Sequence, residues 1–260
     1  MIRGLYTAVS GLITEEAKQS VVTNNLANAN TIGFKSDNLS IKSFKDVLIQ
    51  NYDKTANGKN IKSTIGSLSM GSEIDDMNTY FTQGVIQTTD KATDFAIDGK
   101  GFFTVQRNDG INNKNYYTRS GNFHVDGLGF LVTDSGDKVM GKNKLTNQPG
   151  PIFVGDGKLT VDKNGNVDVN GQNTYKLDTV DFQNYSLLTK VGDNLFDGAN
   201  PIQNQNITVR QNALEKSNVN VTSEMVNMMT IMRNFESNQK IIQSIDMTLG
   251  KAVNEVGTVK

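Results

Sequence analysis

The most regular pattern in the chain lies near its carboxyl end, where Val221, Met228, Phe235, Ile242, Leu249 and Val256 recur at seven-residue intervals. Met225, Ile231, Met232, Ile245, Ala252 and Val253 widen that stripe. The pattern predicts a long amphipathic helix over residues 222–255, capped by Asn220 or Thr222, with Glu224 in the first turn and no glycine or proline before Gly250. At 1.5 Å per residue it spans about 50 Å. A less regular version opens the chain: Ile2, Leu5, Tyr6, Val9, Leu12, Ile13, Val21, Val22 and Leu26 follow a helical period, and Asn28, Asn30 and Gly33 then end it through the left-handed conformations they tolerate. An isolated helix with an exposed apolar seam is unstable and poorly soluble, so each stripe must be covered. Between Thr222 and Asn254 the only charges are Glu224, Arg233, Glu236, Lys240, Asp246 and Lys251, too few for an ordinary solvated helix. Two readings stay open: a helical hairpin on its own β domain, or helices surrounded by other helices.

Between the ends the period changes from helical to strand-like. Phe95–Ile97, Phe102–Val105, Tyr116–Tyr117, Phe123–Val125, Phe130–Val132, Leu159–Val161 and Val167–Val169 read as strands, and Asp98-Gly99, Asp126-Gly127, Ser135-Gly136, Asp156-Gly157 and Asn164-Gly165 as turns. Nineteen of the 24 glycines lie between Gly58 and Gly198, and none from Ala199 through Leu249, which marks where the β region stops. Phe44–Asn51 is predicted as a short helix and Asp53–Ser69 as polar, extended chain. The expected fold is mainly β with long terminal helices. Residues 1–35 and 215–260 form a coiled-coil-like helical domain, 36–80 a linker, and 81–214 a hairpin-rich sandwich or barrel-like domain.

Composition narrows the chemistry. Thirty-six per cent hydrophobic residues in 260 is thin for one globular core. The net charge of −1 gives no field to gather nucleic acid or an anionic membrane, and no run approaches the roughly 18–20 apolar residues of a membrane span. No cysteine is present, so disulfides, thiolate metal sites and thiol nucleophiles are excluded, and the single His124 excludes a two-histidine zinc site. Thr7, Ser10 and Gly11 dilute the apolar stretch after Arg3, which therefore makes a poor signal peptide. Asp162–Asp168 places oxygen side chains at alternate positions like a calcium loop, but Gly165 is fourth rather than sixth and Asn173 stands where a closing glutamate belongs. A hairpin turn at Asn164-Gly165 explains it better. Gly99-Lys-Gly101 lacks the rest of a dinucleotide fingerprint, Asp75-Asp76 reads as a polar turn, and His124 sits on a strand. Five of the nine methionines, Met225, Met228, Met229, Met232 and Met247, lie on the C-terminal helix, as core filler or as an adaptable interface. The residues call for no cofactor and no catalysis. A wall-acting enzyme would need a carboxylate- or His124-lined cleft, and a β-rich binding module would keep its partner after both ends were deleted.

The two ends carry a resemblance. Ser10-Gly11-Leu12 followed by Asn24-Asn25-Leu26-Ala27-Asn28, Thr31, Gly33-Phe34-Lys35 resembles the N-terminal signature of the bacterial flagellar basal-body rod and hook proteins. The resemblance continues through Gln83-Gly84, Asp94–Phe103, Tyr117–Phe123 and Gly129–Thr133, and closes with Leu214-Glu215-Lys216-Ser217-Asn218-Val219-Asn220-Val221, Glu224–Met228 and Arg233–Glu236. It implies a structural, non-enzymatic subunit of a helical polymer, whose terminal helices form the inner tube, with the β domain outside. The implied partners are copies of itself, neighbouring rod and hook subunits, and the flagellar type III export apparatus, which delivers subunits to the basal body outside the cytoplasmic membrane without a cleaved signal. The polymerising faces would comprise Leu5, Val9, Leu12 and Leu26 with Val221, Met225, Met228, Met232, Phe235, Ile242, Ile245 and Leu249. Phe44 and Leu48 resemble the family's short export-gate motif. Length and Ser217–Val221 fit the distal rod type, whereas Lys138–Gly141 and Gly150–Ile152 are also similar to proximal rod members. A hook or hook-associated subunit is the alternative within the family, although hooks usually carry an extra outer domain. Free subunits should have partly disordered ends, because the burial partners of those ends are other copies.

Overall fold

The computed structural model describes residues 2–56, 59–108, 113–203 and 207–256. The chain divides into two compact units. The first comprises residues 1–26, 37–78 and 221–260. It holds α1 (Ile2–Ala27), β1 (Asp37–Ser43), β2 (Val47–Ala56), β3 (Lys59–Leu68), β4 (Ser72–Thr79) and α2 (Val221–Lys251), the last continued by a π-helical turn over Ala252–Val256. Strands β1 and β4 pair with each other, and β2 with β3.

Inside α1, hydroxyls that would otherwise compete with the helix are satisfied locally. Ser10 donates to the Thr7 carbonyl at 2.8 Å and Thr14 to that of Gly11 at 2.9 Å. The same edge takes the turn before β4: Thr7 donates to the Met70 carbonyl at 3.4 Å, and the Ser72 amide donates to Ser10 Oγ at 3.3 Å. Gly71 makes this possible, since its φ is +128° and a Cβ there would fall 2.1 Å from Ser10 Oγ. At the far end of α1, the buried Asn25 carboxamide donates to the Asp37 carbonyl at 2.8 Å and accepts from the Asp37 amide at 2.9 Å, which ties the helix to the first residue of β1.

Two expectations need correction in this unit, and a third, the coiled-coil-like pairing of the terminal helices, is not confirmed. Phe44–Asn51 is not helical: the Phe44 amide is taken by the Gly71 carbonyl at 3.0 Å, and the Val47-Leu48-Ile49 run prefers an extended strand. Asp75-Asp76 is not a turn but lies within β4, where Asp75 and Glu73 face Lys42 at 3.1 and 3.6 Å. The two helices pair without a continuous coiled-coil seam. Gly4 faces Ile245, Gly11 faces Asn238, and farther along Glu15, Lys18, Glu224, Asn227 and Asn234 line a polar cavity beside Val22 and Ile231. Those polar side chains interrupt the apolar layer that knobs-into-holes packing requires.

The second unit comprises residues 27–36 and 79–220. Its strands are β5 (Ile86–Thr88), β6 (Phe95–Asp98), β7 (Phe102–Asn108), β8 (Asn113–Thr118), β9 (Phe123–Val125), β10 (Leu131–Thr133), β11 (Lys138–Asn143), β12 (Pro149–Pro151), β13 (Leu159–Val161), β14 (Asn166–Val169), β15 (Gln172–Leu177), β16 (Thr179–Asp181), β17 (Thr189–Gly192), β18 (Leu195–Asp197), β19 (Ile202–Gln203), β20 (Thr208–Gln211) and β21 (Ala213–Glu215). The main sheet runs β13-β14-β15-β11-β7-β8-β18-β17, while β20 pairs with β6 and β21 with β5. That path has two ends, so among the described residues the sheet does not close into the barrel that was one of the two expected forms.

Period-two alternation sends β7 into two cores. Phe103 and Val105 join Phe95, Phe123, Leu131, Val139 and Ile152 on one face, and Phe102 joins Tyr117, Val180, Phe182 and Phe196 on the other. The Asp162–Asp168 segment is the predicted hairpin turn. The Asp162 carboxylate accepts from the amides of Asn164 and Asn166, both at 2.9 Å, and Gly165 turns with φ +75°.

Candidate functional site

The first unusual arrangement is a buried group of charges in the second unit. Residues 31–36, the end of the N-terminal motif, lie against residues 213–218. The Gly33 amide donates to the Glu215 carbonyl at 2.8 Å, and the Asn218 amide to that of Phe34. Glu215 ends β21 with its side chain 1% exposed, and its Oε1 accepts from Lys35 Nζ at 2.6 Å and from the Gly84 amide at 2.9 Å. Its Oε2 receives Arg119 at 3.3 Å. Lys35, with no exposed side-chain surface, also donates to the Thr82 carbonyl at 2.7 Å. Arg119 donates to the Gly99 carbonyl at 2.6 Å, and its guanidinium carbon lies 5.6 Å from the Phe102 ring centroid.

One carboxylate thus serves two buried cations. Burial holds the Lys35 ammonium below its ordinary value despite the attraction of Glu215, and nearby Arg119 adds to the lowering. Burial lowers Arg119 in the same way. Glycines permit the close approach. A Cβ on Gly33, whose φ is +69°, would meet the Ser120 amide at 2.4 Å, and one on Gly84 would meet the Lys216 carbonyl at 2.0 Å.

Asn218 completes the clasp. Its Oδ1 accepts from the Ser36 amide at 2.8 Å, and its Nδ2 donates to the Tyr80 carbonyl at 2.8 Å and to Thr82 Oγ1 at 2.9 Å. Lys190 covers Phe34 at 4.5 Å from the ring centroid and donates to the Lys35 carbonyl at 2.7 Å. The partners here are main-chain groups, an opposite charge, the Thr82 hydroxyl and two aromatic rings. The arrangement fastens two chain segments together and presents no reactive group.

The second arrangement is the surface of the helical unit. Of the residues expected at a polymerising face, Leu5, Leu12, Leu26, Met228, Phe235, Ile242, Ile245 and Leu249 are half-buried within the unit. Val9, Val221, Met225 and Met232 are exposed. The side chains of Ile2 and Val256, also on the predicted stripes, lie outside the described residues. Phe44 and Leu48 are both exposed, Phe44 between β1 and β2 and Leu48 within β2. His124 is half-exposed on β9, with Nδ1 3.8 Å from Asp134 Oδ1. Among the described residues no group of three His, Asp or Glu side chains is placed to hold a metal ion, and no helix is long and apolar enough to cross a membrane.

Known families match three successive stretches of the chain: "Flagella basal body rod protein" over residues 5–35, "Flagellar hook protein FlgE/F/G D1 domain" over 96–224 and "Flagellar basal body rod FlgEFG protein C-terminal" over 210–255. Full-length relatives accompany them. The chain is 34% identical over 275 residues to the flagellar basal-body rod protein FlgG of Bacillus subtilis, covering 98% of this chain and 99% of the relative. It is 30% identical over 280 residues to the flagellar hook-basal body complex protein FlhO of the same organism, covering both chains completely. The chain belongs to the flagellar basal-body rod protein family. By contrast, the flagellar hook protein FlgE of Borreliella burgdorferi is 33% identical over 123 residues, which cover 46% of this chain and 26% of that protein.

Within this rod-family chain, the motif residues occupy the two fastenings. Asn25 binds the start of β1, Thr31 donates to Asn28 Oδ1 at 3.1 Å, and Gly33, Phe34, Lys35 and Asn218 belong to the clasp, where Ser217 Oγ accepts from the Val219 amide at 3.3 Å. Asn24 and Ala27 lie on the exposed side of α1. Arg119 and Glu215 fall inside the family-like stretches Tyr117–Phe123 and Leu214–Val221, but the sequence does not mark them as site residues. The available signal was a single charge closing an apolar strand in each case, Tyr116-Tyr-Thr-Arg119 and Ala213-Leu-Glu215.

Proposed function

We propose that the chain is a structural subunit of the flagellar basal-body rod, of the distal type, which polymerises into the shaft that carries torque from motor to hook. The observation that carries this reading is end-to-end similarity to rod proteins in both directions, with the three family segments in order, against only partial overlap with a hook protein. The full-length similarity to FlhO supports a neighbouring place in the hook-basal body complex as a second reading of subtype. Self-association would use the helical unit, where apolar side chains stay exposed on both helices. Neighbouring rod and hook subunits would meet the same surfaces. Delivery through the export apparatus without a cleaved signal, with Phe44 and Leu48 as the gate motif, belongs to the same proposal, as does the lack of catalytic activity. The test is a deletion strain inspected for rods, hooks and swimming. Loss of all three, restored by this chain, supports the proposal; intact rods and hooks in the deletion strain would sink it.

A further inference from the structure

We infer that the methionine ridge of α2, Met225, Met229 and Met232, seats in the groove that Tyr6, Val9, Ser10 and Ile13 of α1 form with Phe44 and Met70 in a second copy of the chain. The inference rests on reading the chain as a self-assembling subunit. No charged side chain lines the groove, and Tyr6 and Ile13 are 67% and 55% exposed beside it. The ridge is also uncharged and half-exposed, at 50%, 51% and 49% for its three methionines.

Helical geometry shows that one copy cannot bring the two faces together. Gly4 and Gly11 are the α1 positions that face α2, through Ile245 and Asn238. At 100° per residue Tyr6, Val9 and Ile13 lie on the opposite side of α1. On α2, the half-buried residues Met228, Phe235, Ile242 and Leu249 alternate with Ile231, Asn238 and Ile245 at three- and four-residue spacing. The ridge lies about 100° round the helix from that seam. Each face therefore points away from its own chain's partner helix and needs an occupant from outside.

The two faces match in length as well as in chemistry. Tyr6 to Ile13 and Met225 to Met232 each advance seven residue steps, about 10.5 Å of helix. A ridge of unbranched, adaptable side chains fits a groove between an α-helix and a loop better than rigid β-branched residues would. Groove and ridge are different patches of one molecule, so the contact is heterologous and, unless its rotation closes a ring, leaves a free groove and a free ridge at the two ends of an assembly. That is the requirement for open growth.

The chain has no cysteine, so engineered pairs can test this directly. Val9→Cys and Met229→Cys on one chain should give a ladder of dimers, trimers and higher species on mild oxidation of the full-length protein. A mixture of the two single variants should give heterodimers at least about tenfold over homodimers, a difference of about 1.4 kcal/mol. Homodimers in excess, or cross-linking no faster than through Ser237→Cys on another face of α2, would overturn the docking. Ile13→Glu and Met229→Lys should each raise the concentration needed for assembly, read by sedimentation, by about tenfold or more, and should restore assembly when mixed. A wild-type protein that never self-associates would remove the subunit reading as well; one that assembles while the cross-links follow the control removes only this contact.

Discussion

Replacing Glu215 by glutamine tests whether the buried clasp is held by charge or by shape. The substitution keeps the side chain's size but leaves Lys35 and Arg119 as two buried cations with no anion between them. Breaking a buried pair in this way costs about 3–5 kcal/mol. For a domain in the 150–250 residue range that corresponds to about 6–20 °C in melting temperature. Lys35→Met should cost less, about 1–3 kcal/mol for the hydrogen bonds it removes from Glu215 Oε1 and the Thr82 carbonyl, because Arg119 still neutralises Glu215 and the Gly84 amide still donates to Oε1. The sign of the Lys35 shift adds a pH signature. With its folded value held below 10.5, chiefly by burial, the unfolded chain binds the extra proton in between, so this residue's contribution makes stability rise as pH climbs through that window and level off above 10.5. The phenols of Tyr117 and Tyr185 are raised, mainly by burial, and act in the opposite direction above pH 10, so the effect is read as the difference between wild type and Lys35→Met. Thermal melts followed by near-ultraviolet circular dichroism of these tyrosines provide the measurement. If Lys35→Met destabilises as much as Glu215→Gln, the account of one carboxylate restraining two cations is wrong.

Two glycine substitutions probe the close approaches. Gly33→Ala, which forces φ +69° and a 2.4 Å clash on the Ser120 amide, should destabilise the second unit by about 2 kcal/mol or more, measured by urea unfolding. Gly71→Ala should instead raise amide exchange around Ser10 and Ser72 while leaving the β core's melt in place. Burial pushes Asp162 up, but hydrogen bonds from the Asn166 side chain and from the Asn166 and Asn164 amides outweigh it and leave the carboxyl below 3.8. Its contribution is therefore present above pH 3.8 and lost as pH falls through the folded value, so an Asp162→Ala deficit seen at neutral pH should vanish in acid. In dilute monomer, limited proteolysis should cut within α1 and α2 before it cuts the β core, since part of each helix's apolar surface is left exposed; equal resistance of all three would contradict that.

Much of this fold is written in short-range pattern. The α2 helix follows from its seven-residue repeat, and β6 to β10, β13 and β14 follow from β-branched and aromatic runs bounded by Asp-Gly, Ser-Gly and Asn-Gly. Strands β1 and β4 escaped because they pair with each other across an intervening hairpin, and the turn that opens β4 is held by the α1 hydroxyls of Thr7, Ser10 and Thr14, more than 50 residues away in sequence. Strands β15 to β21 escaped for a related reason: they are short, and several depend on partners far away in sequence, β15 on β11, β16 on β7, β18 on β8, β20 on β6 and β21 on β5. The clasp was legible only in part. Phe34-Lys35 and Ser217-Asn218 stood out as motif, but nothing local announces that Lys35 and Glu215, 180 residues apart, share a hydrogen bond.

The helical stripe shows why periodicity alone cannot assign an interface. A seven-residue repeat reports which positions are covered, and here Met228, Phe235, Ile242 and Leu249 are partly covered by the chain itself. Polar residues at Glu15, Lys18, Asn227 and Asn234 keep that internal contact from becoming a dry seam. What remains for a neighbour is the material beside the repeat: Met225, Met229 and Met232 on one helix, Tyr6, Val9 and Ile13 on the other. Mutating the seam should therefore loosen the monomer before it touches assembly, whereas mutating the ridge should stop assembly in a monomer that still melts normally. The order of those two losses, measured on Phe235→Ala and Met229→Lys side by side, separates a self-contained helix pair from one completed by its neighbours.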